Sequence, residues 1–236
     1  MLASRVHQFK IWLQYHPNTS LRSIFFLLKK MRSFEIPFPQ IWNKALYFFL
    51  TLIRTFISNL SRLLFYTPAF RGRTSQSGQR LYLYGGLPFI SGPLHIQLGD
   101  DCRISGQTTF SGRTASQNPQ LLVGNNVDIG WQTTIAVGNK VVISDNVRIA
   151  GKGFLCGYSG HPLDAKRRAL GEADDLNQVG DIILEKDVWL GTNVTVKSGV
   201  TIGQGSVIAA GSVVTKSIPP FVIAAGNPAQ VIKTLK

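Results

Sequence analysis

From residue 184 to residue 214 an aliphatic residue returns at every sixth position: Leu184, Leu190, Val196, Ile202, Ile208 and Val214. An α-helix favours a recurrence near 3.6 and a half-buried strand a recurrence of two. A period of six, with Gly, Asn and Asp between the aliphatics, fits a chain that coils. Each short strand plus turn makes one side of a β-helix, and inward side chains stack from coil to coil. The register continues upstream through Leu98, Ile104 and Phe110, then Val123, Ile129 and Ile135, then Val137, Ile143, Ile149 and Leu155. Turn segments such as Gly124-Asn125-Asn126 and Ser144-Asp145-Asn146 fall at matching places, and these residue types tolerate positive φ at tight corners. A β-sandwich with regularly spaced turns would not hold one spacing over so many strands. The spacing therefore predicts an all-β repeat, a parallel β-helix, over residues 81–236.

Charge is distributed unevenly. Residues 1–80 hold 12 of the 25 Lys and Arg but one acid, Glu35, a net +11; residues 81–236 hold 13 basic and 11 acidic residues, a net +2. The first 80 residues thus form a basic segment suited to an anionic surface. Within Gln40–Tyr66 the basic residues Lys44, Arg54 and Arg62 sit among aromatics and aliphatics. Trp42, Ala45, Leu46, Phe49, Leu52, Ile53, Phe56, Leu60, Leu63 and Leu64 trace one helical face. A nucleic-acid module would present basic stripes with fewer aliphatics, so no nucleic-acid partner is expected. Three readings of this helix remain: lying in the plane of a membrane interface, packing on its own β-helix or a partner subunit, or spanning a bilayer. Spanning would put Arg54 near mid-bilayer, at about 2.5–3.5 kcal/mol on insertion scales. The first is favoured, with Thr67-Pro68 closing the helix. Weaker amphipathic segments run through Val6, Phe9, Trp12 and Leu13, and through Leu21, Ile24, Phe25, Leu28 and Met31. The opening residues show no secretory signal pattern, so the expected location is cytoplasmic, peripheral on the inner face of a membrane.

The two cysteines, Cys102 and Cys156, lie far apart without metal-ligand spacing; Cys156, near His161 in sequence, reads as a small buried hydrophobe rather than a thiol nucleophile. The repeat is interrupted once, between Leu155 and Leu184, by a polar loop that contains a single histidine, His161. Long loops in compact repeat domains are usually functional, and a neutral imidazole can take a proton from an alcohol or an amine. A zinc enzyme on the same scaffold would need about three histidine ligands. His161 is alone within the repeats apart from His95 at their edge, so no metal is expected.

His161-Pro162, Asp187-Val188-Trp189-Leu190-Gly191, the stretch Ile208–Lys216, Pro219-Pro220 and Ala225-Gly226-Asn227-Pro228-Ala229 together resemble the hexapeptide-repeat acyltransferases. The nearest branch is the galactoside and maltose O-acetyltransferases with their polysaccharide-modifying relatives. The resemblance spans about residues 85–236 and is strongest in the last fifty. It implies a left-handed winding, an exception to the right-handed crossover rule, a homotrimer with the site between subunits, and acetyl-CoA as donor. It also implies roles: His161 as general base, and Thr192 as the residue whose backbone N–H faces the thioester oxygen. Trp189, Ala210, Thr215, Lys216 and Lys233 would hold the cofactor, with lysine supplying a point charge for phosphate. The family's acceptor-holding asparagine is absent; Ile129–Thr133 offers Trp131 and Gln132 instead, as acceptor-binding candidates. Glu172, Asp174 and Asp175 are the candidate acids for orienting His161.

The function expected is O-acetyl transfer to a saccharide of an envelope or exopolysaccharide pathway, the acceptor lipid-linked if the basic segment docks on a membrane. The alternatives are an amino-sugar N-acetyltransferase, which the same base would serve, and a non-catalytic membrane-associated scaffold, which would bind no CoA.

Overall fold

The computed structural model describes residues 2–235, which fall into two compact units, Met1–Ile53 and Arg54–Lys236. The first contains helix α1 (Leu2–Gln14), helix α2 (Thr19–Arg32) and the start of helix α3 (Gln40–Ser61). Asn18 caps α2, its side chain accepting from the N–H of Ser20 at 2.9 Å. The basic residues Lys29, Lys30 and Arg32 crowd the last turn of α2, where they complement the helix dipole. Leu13 is buried; α2 and α3 bury none of their residues. Trp42, Phe48, Phe49, Phe56 and Phe65 are all more than half exposed.

The second unit is a parallel β-helix of about seven turns, wound in the left-handed sense of hexapeptide repeats. Its strands stack into three faces of six, eight and six strands, parallel throughout except for the closing pair. The first face stacks Leu98, Val123, Ile143, Leu184 and Ile202; the second Ile104, Ile129, Ile149, Leu190 and Ile208; the third Phe110, Ile135, Leu155, Val196 and Val214. All are buried, and burial of one such side chain contributes about 1.5–3 kcal/mol. Every residue of the six-spaced series therefore points inward. Positions two residues earlier, such as Val188, Val194 and Val200, fill the corners of the same core.

Two details depart from the sequence expectation. The long helix does not close at Thr67-Pro68. It widens into a π-helical turn at Arg62–Tyr66, where the N–H of Thr67 reaches back to the carbonyl of Arg62, and continues as helix to Arg73. A proline lacks the N–H of the regular ladder and collides with the carbonyl four residues back, and the wider turn accommodates it. The expected boundary at 80/81 is also too late. Phe70 is 1% exposed, its ring 6.4 Å from that of Phe110, and Gln76-Ser77 already pairs with Gln97-Leu98 in the first face. Arg62 lies over the ring of Tyr82 at 4.8 Å. The β-helix thus needs the end of the helical run to close its first coil.

The strand Ala229–Thr234 turns back antiparallel on Val222–Gly226 and covers the last edge of the second face.

Candidate active site

The three corners of the β-helix are not alike. Steps from first face to second and from second face to third are always six residues through the regular coils (Leu98 to Ile104 to Phe110, Leu184 to Leu190 to Val196). Apart from one extra residue between Leu83 and Ile90 in the first coil, extra chain enters between third face and first. There the step is six residues from Val196 to Ile202, but longer from Ile135 to Ile143, from Phe110 to Val123, and above all from Leu155 to Leu184. The repeat is therefore interrupted more than once. The excursion that begins at Arg113 emerges at the same corner as the His161 loop.

These two excursions are tied together. Arg113 Nε donates to Asp174 Oδ1 at 2.7 Å and its Nη2 to the Asp174 carbonyl at 2.9 Å, with the two side chains only 5% and 3% exposed. The other carboxylate oxygen, Oδ2, accepts from the N–H of Gly160 at 3.3 Å. Ser159 Oγ lies 3.0 Å from the carbonyl oxygen of His161 and 3.1 Å from Gln178 Oε1. Farther along the loop, Arg167 bridges Glu172 and Asp175 at 2.7 and 2.8 Å, and these bonds hold its guanidinium well above the usual arginine range. Of the three candidate acids, then, Asp174 holds the loop backbone beside His161, while Glu172 and Asp175 hold Arg167. Among the described residues none of them bonds the His161 ring. That ring is exposed on the wall of a cavity of about 470 Å³. Arg113 was not among the sequence candidates; the slip in six-residue spacing after Phe110 was the signal that could have found it.

The corner between second and third faces carries the other group. Trp131-Gln132, Gly151-Lys152, Thr192-Asn193 and Ala210-Gly211 stack in successive coils, linked by Lys152 N–H to Trp131 O (2.8 Å), Asn193 N–H to Gly151 O (3.0 Å) and Gly211 N–H to Thr192 O (2.8 Å). The N–H groups of Trp131, Gly151, Thr192 and Ala210 have no hydrogen-bond partner among the described residues. The corner between first and second faces differs at this point. There the N–H of Asp100 is closed by Asn125 Oδ1 (2.8 Å), that of Asn125 by Asp145 Oδ1 (2.7 Å) and that of Gln204 by Glu185 Oε2 (2.8 Å). One corner is closed by acidic and amide side chains in these three coils, with the N–H groups of Asp145 and Lys186 left open among the described residues, and the other presents an uninterrupted column of free donors. Trp131, 47% exposed, lies against this column: a Cβ on Gly151 would sit 2.5 Å from its Nε1. Lys152 Nζ is 5.3 Å from the centre of the indole. Trp189, 54% exposed, projects from the second face in the coil of Thr192.

Thr215 and Lys216 follow Val214 at the corner that carries the His161 loop, two coils on, and Lys233 lies opposite Ile223 in the closing strand. The sequence candidates thus separate: His161, Thr215 and Lys216 share one corner, while Trp131, Gln132, Thr192 and Ala210 share another with Trp189 beside it. The third face stands between the two groups.

Residues 181–216 match the family model described as bacterial transferase hexapeptide (six repeats). These coils carry the hexapeptide repeat of this chain. No curated protein matches it. Among solved structures, this chain is similar to a point mutant of AntD, an N-acyltransferase from Bacillus cereus, in complex with dTDP and coenzyme A. The TM-score is 0.58 at 19% identity, over 72% of this chain and 89% of that one. A second AntD mutant, in complex with dTDP-4-amino-4,6-dideoxyglucose and coenzyme A, gives a TM-score of 0.55 at 22% identity, over 68% and 84%. The hexapeptide-repeat acetyltransferase VCA0836 from Vibrio cholerae gives 0.47 at 26%, over 72% and 79%. At these identities the AntD likeness establishes the fold.

Proposed function

We propose that this chain is an acyltransferase that moves an acetyl group from acetyl-CoA to a hydroxyl of a saccharide, with His161 as general base. The observation that carries this reading is the pairing of two unlike corners. One offers an exposed imidazole on a loop fixed by a buried ion pair; the other offers a column of free N–H donors. The pantetheine arm of CoA is an extended chain of amides ending in a thioester, so its carbonyl oxygens suit a row of unpartnered N–H groups. The N–H of Thr192 is assigned to the oxygen of the thioester, where charge develops during attack. His161 takes the proton of the acceptor hydroxyl as the oxygen attacks, then returns it to the departing sulfur. Lys216 and Lys233 are assigned to the phosphates of CoA, Trp189, Ala210 and Thr215 to its arm, and Trp131 and Gln132 to the acceptor.

Because the third face separates the two corners in one chain, the proposed site closes between subunits, His161 of one facing the donor column of the next. A homotrimer satisfies this for all three sites at once. AntD, crystallised with CoA or 3-hydroxybutyryl-CoA, supports the choice of donor. Its amino-sugar ligand favours a second reading, N-acetylation of an amino sugar, for which the same base would serve. The helical segment with its net +11 is assigned to an anionic membrane, which would put the enzyme on the cytoplasmic face beside a lipid-linked acceptor. The deciding experiment is acetyl-CoA turnover by the full chain against paired hydroxyl and amino sugars. Consumption of acetyl-CoA only with hydroxyl acceptors supports O-acetylation; consumption only with amino sugars replaces it by the second reading; absence of CoA binding refutes both.

A further inference from the structure

Resting on the acyl-transfer reading, we infer that the cavity beside His161 is an acceptor subsite selective for an uncharged glycosyl group over a phosphate-bearing or uronic sugar. The cavity is built from three layers of one corner: Ser91 and Ser111 from successive coils, Thr114 from the Arg113 excursion, and Tyr158, His161 and Glu172 from the long loop. Its volume of about 470 Å³ lies within the range of pockets that enclose small ligands. The hydroxyls of Ser91, Ser111, Thr114 and Tyr158 form no hydrogen bond among the described residues. Each is both donor and acceptor, the complement of a polyol, and Glu172 adds an acceptor.

Charge decides the class. Arg113 is the one Lys or Arg lining the cavity, and its guanidinium is engaged by Asp174 on Nε and Nη2 and by Ser116 on Nη1. Neither neighbouring guanidinium of the loop lines the cavity: Arg167 is turned to Glu172 and Asp175, and Arg168 to the carbonyls of Pro162 and Leu163. Arg113 and Asp174 cancel, and Glu172 shares its one cation, Arg167, with Asp175, so the carboxylate side of the wall is not fully neutralised. A bound phosphate or carboxylate would find hydroxyls but no free guanidinium fork and would face a carboxylate. A neutral sugar finds its full complement of partners. The Arg113–Asp174 pair also makes the floor rigid, so that the position of a hydroxyl beside His161 is set by where the ring docks.

The test is steady-state acetyl transfer by the full chain with three acceptors that share one sugar: the methyl glycoside, the corresponding uronic acid, and the nucleoside-diphosphate sugar. The expected result is a KM at least ten-fold lower for the glycoside than for either anionic form. Glu172→Lys should shrink that ratio to below three-fold. Ser111→Phe, on an outward position of its strand, should raise the acceptor KM at least ten-fold and leave the acetyl-CoA KM within two-fold. Thr114→Leu, on the exposed excursion, should raise the acceptor KM without touching Tm. Equal KM values for all three acceptors, or an unchanged acceptor KM in both filled variants, would overturn the subsite while leaving acyl transfer standing. Failure of acetyl-CoA binding, by contrast, would remove the underlying reading.

Discussion

Arg113 and Asp174 are 61 residues apart in sequence and 2.7 Å apart in space, a buried ion pair that joins two excursions from one corner of the β-helix. Such pairs are weak evidence of net stability, because the desolvation of both charges offsets their attraction. Removing one partner is a different matter, since it strands the other charge and costs about 3–5 kcal/mol. Here the carboxylate also receives the N–H of Gly160, next to His161. Arg113→Ala should lower Tm and lower kcat by more than ten-fold. Arg113→Met combined with Asp174→Leu should regain much of the stability without regaining kcat, because the bond to Gly160 stays lost. Thermal melts beside turnover measure both; full recovery of kcat in the double variant would show the pair to be structural only.

His161→Ala tests the base directly. The ring is exposed and carries no part of the core, so Tm and CoA binding should be unchanged. Turnover should fall by about 10²–10⁴, the usual share of a general base. A variant with wild-type kcat on a true acceptor excludes the mechanism.

Gly151 and Trp131 form a second coupled pair. A methyl on Gly151 would collide with Nε1 and Cδ1 of the indole at 2.5 and 2.7 Å. Gly151→Ala should displace Trp131, cost about 1–3 kcal/mol as overpacking does, and raise the acceptor KM if Trp131 stacks on the acceptor. Because the clash needs the indole, Gly151→Ala in a Trp131→Ala background should cost far less. A double-mutant cycle on Tm reads this coupling, and additive effects would show that the ring moves away freely.

Much of this was legible in the chain. The six-residue recurrence identified the inward side chain of every regular coil, because one aliphatic per short strand is what a stacked core demands. His161 stood out as the lone histidine of a polar interruption. Arg113 did not, because a slip of a few residues in the spacing is visible only when each corner is counted separately. Nor could sequence separate Asp174 from Glu172 and Asp175, three acids within four positions whose partners come from different parts of the chain. The start of the β-helix was misplaced for a similar reason: Phe70 belongs to an apolar helical run, and nothing local distinguishes it from the exposed phenylalanines before it.

The cysteines give a contrast in reactivity. Cys102 is fully buried, and burial first, then nearby Asp101, Asp100 and Asp145, pushes its thiol above the ordinary range despite a bond that opposes the shift. It should stay unmodified by a thiol-alkylating reagent at neutral pH until the fold is opened by denaturant. Cys156, half-buried with its Sγ 3.1 Å from the Tyr158 carbonyl, should react slowly in the native protein. Cys156→Ser should keep turnover, since acyl transfer is assigned to His161. Mass spectrometry of the alkylated protein checks the order, and loss of activity in Cys156→Ser would instead point to a thiol intermediate.

The membrane assignment of the helical segment makes the sharpest demand, because the cut must fall in the right place. In α3 the cations are Lys44 and Arg54, with Arg54 about 80° from the line of Lys44 at 100° per residue; Arg62, in the π turn that follows, is turned to the ring of Tyr82. Trp42, Leu46, Phe49, Ile53, Phe56 and Leu60 occupy the opposite side. With the cations in the headgroup layer and this face below it, Arg54 need not enter the hydrocarbon, and each basic residue near an anionic leaflet contributes about 1 kcal/mol. Deleting residues 1–53, the first compact unit, should abolish flotation with anionic vesicles and leave turnover on a soluble acceptor intact. Deleting residues 1–80 should instead destabilise the enzyme, because it takes Phe70 out of the core, a loss worth about 3–5 kcal/mol for a buried phenylalanine. Flotation of the full chain should weaken with salt and vanish on neutral vesicles. If the 1–53 deletion floats as well as the full chain, the segment is no anchor; if it loses its oligomer or its soluble activity, the helices belong to the assembly rather than to a membrane.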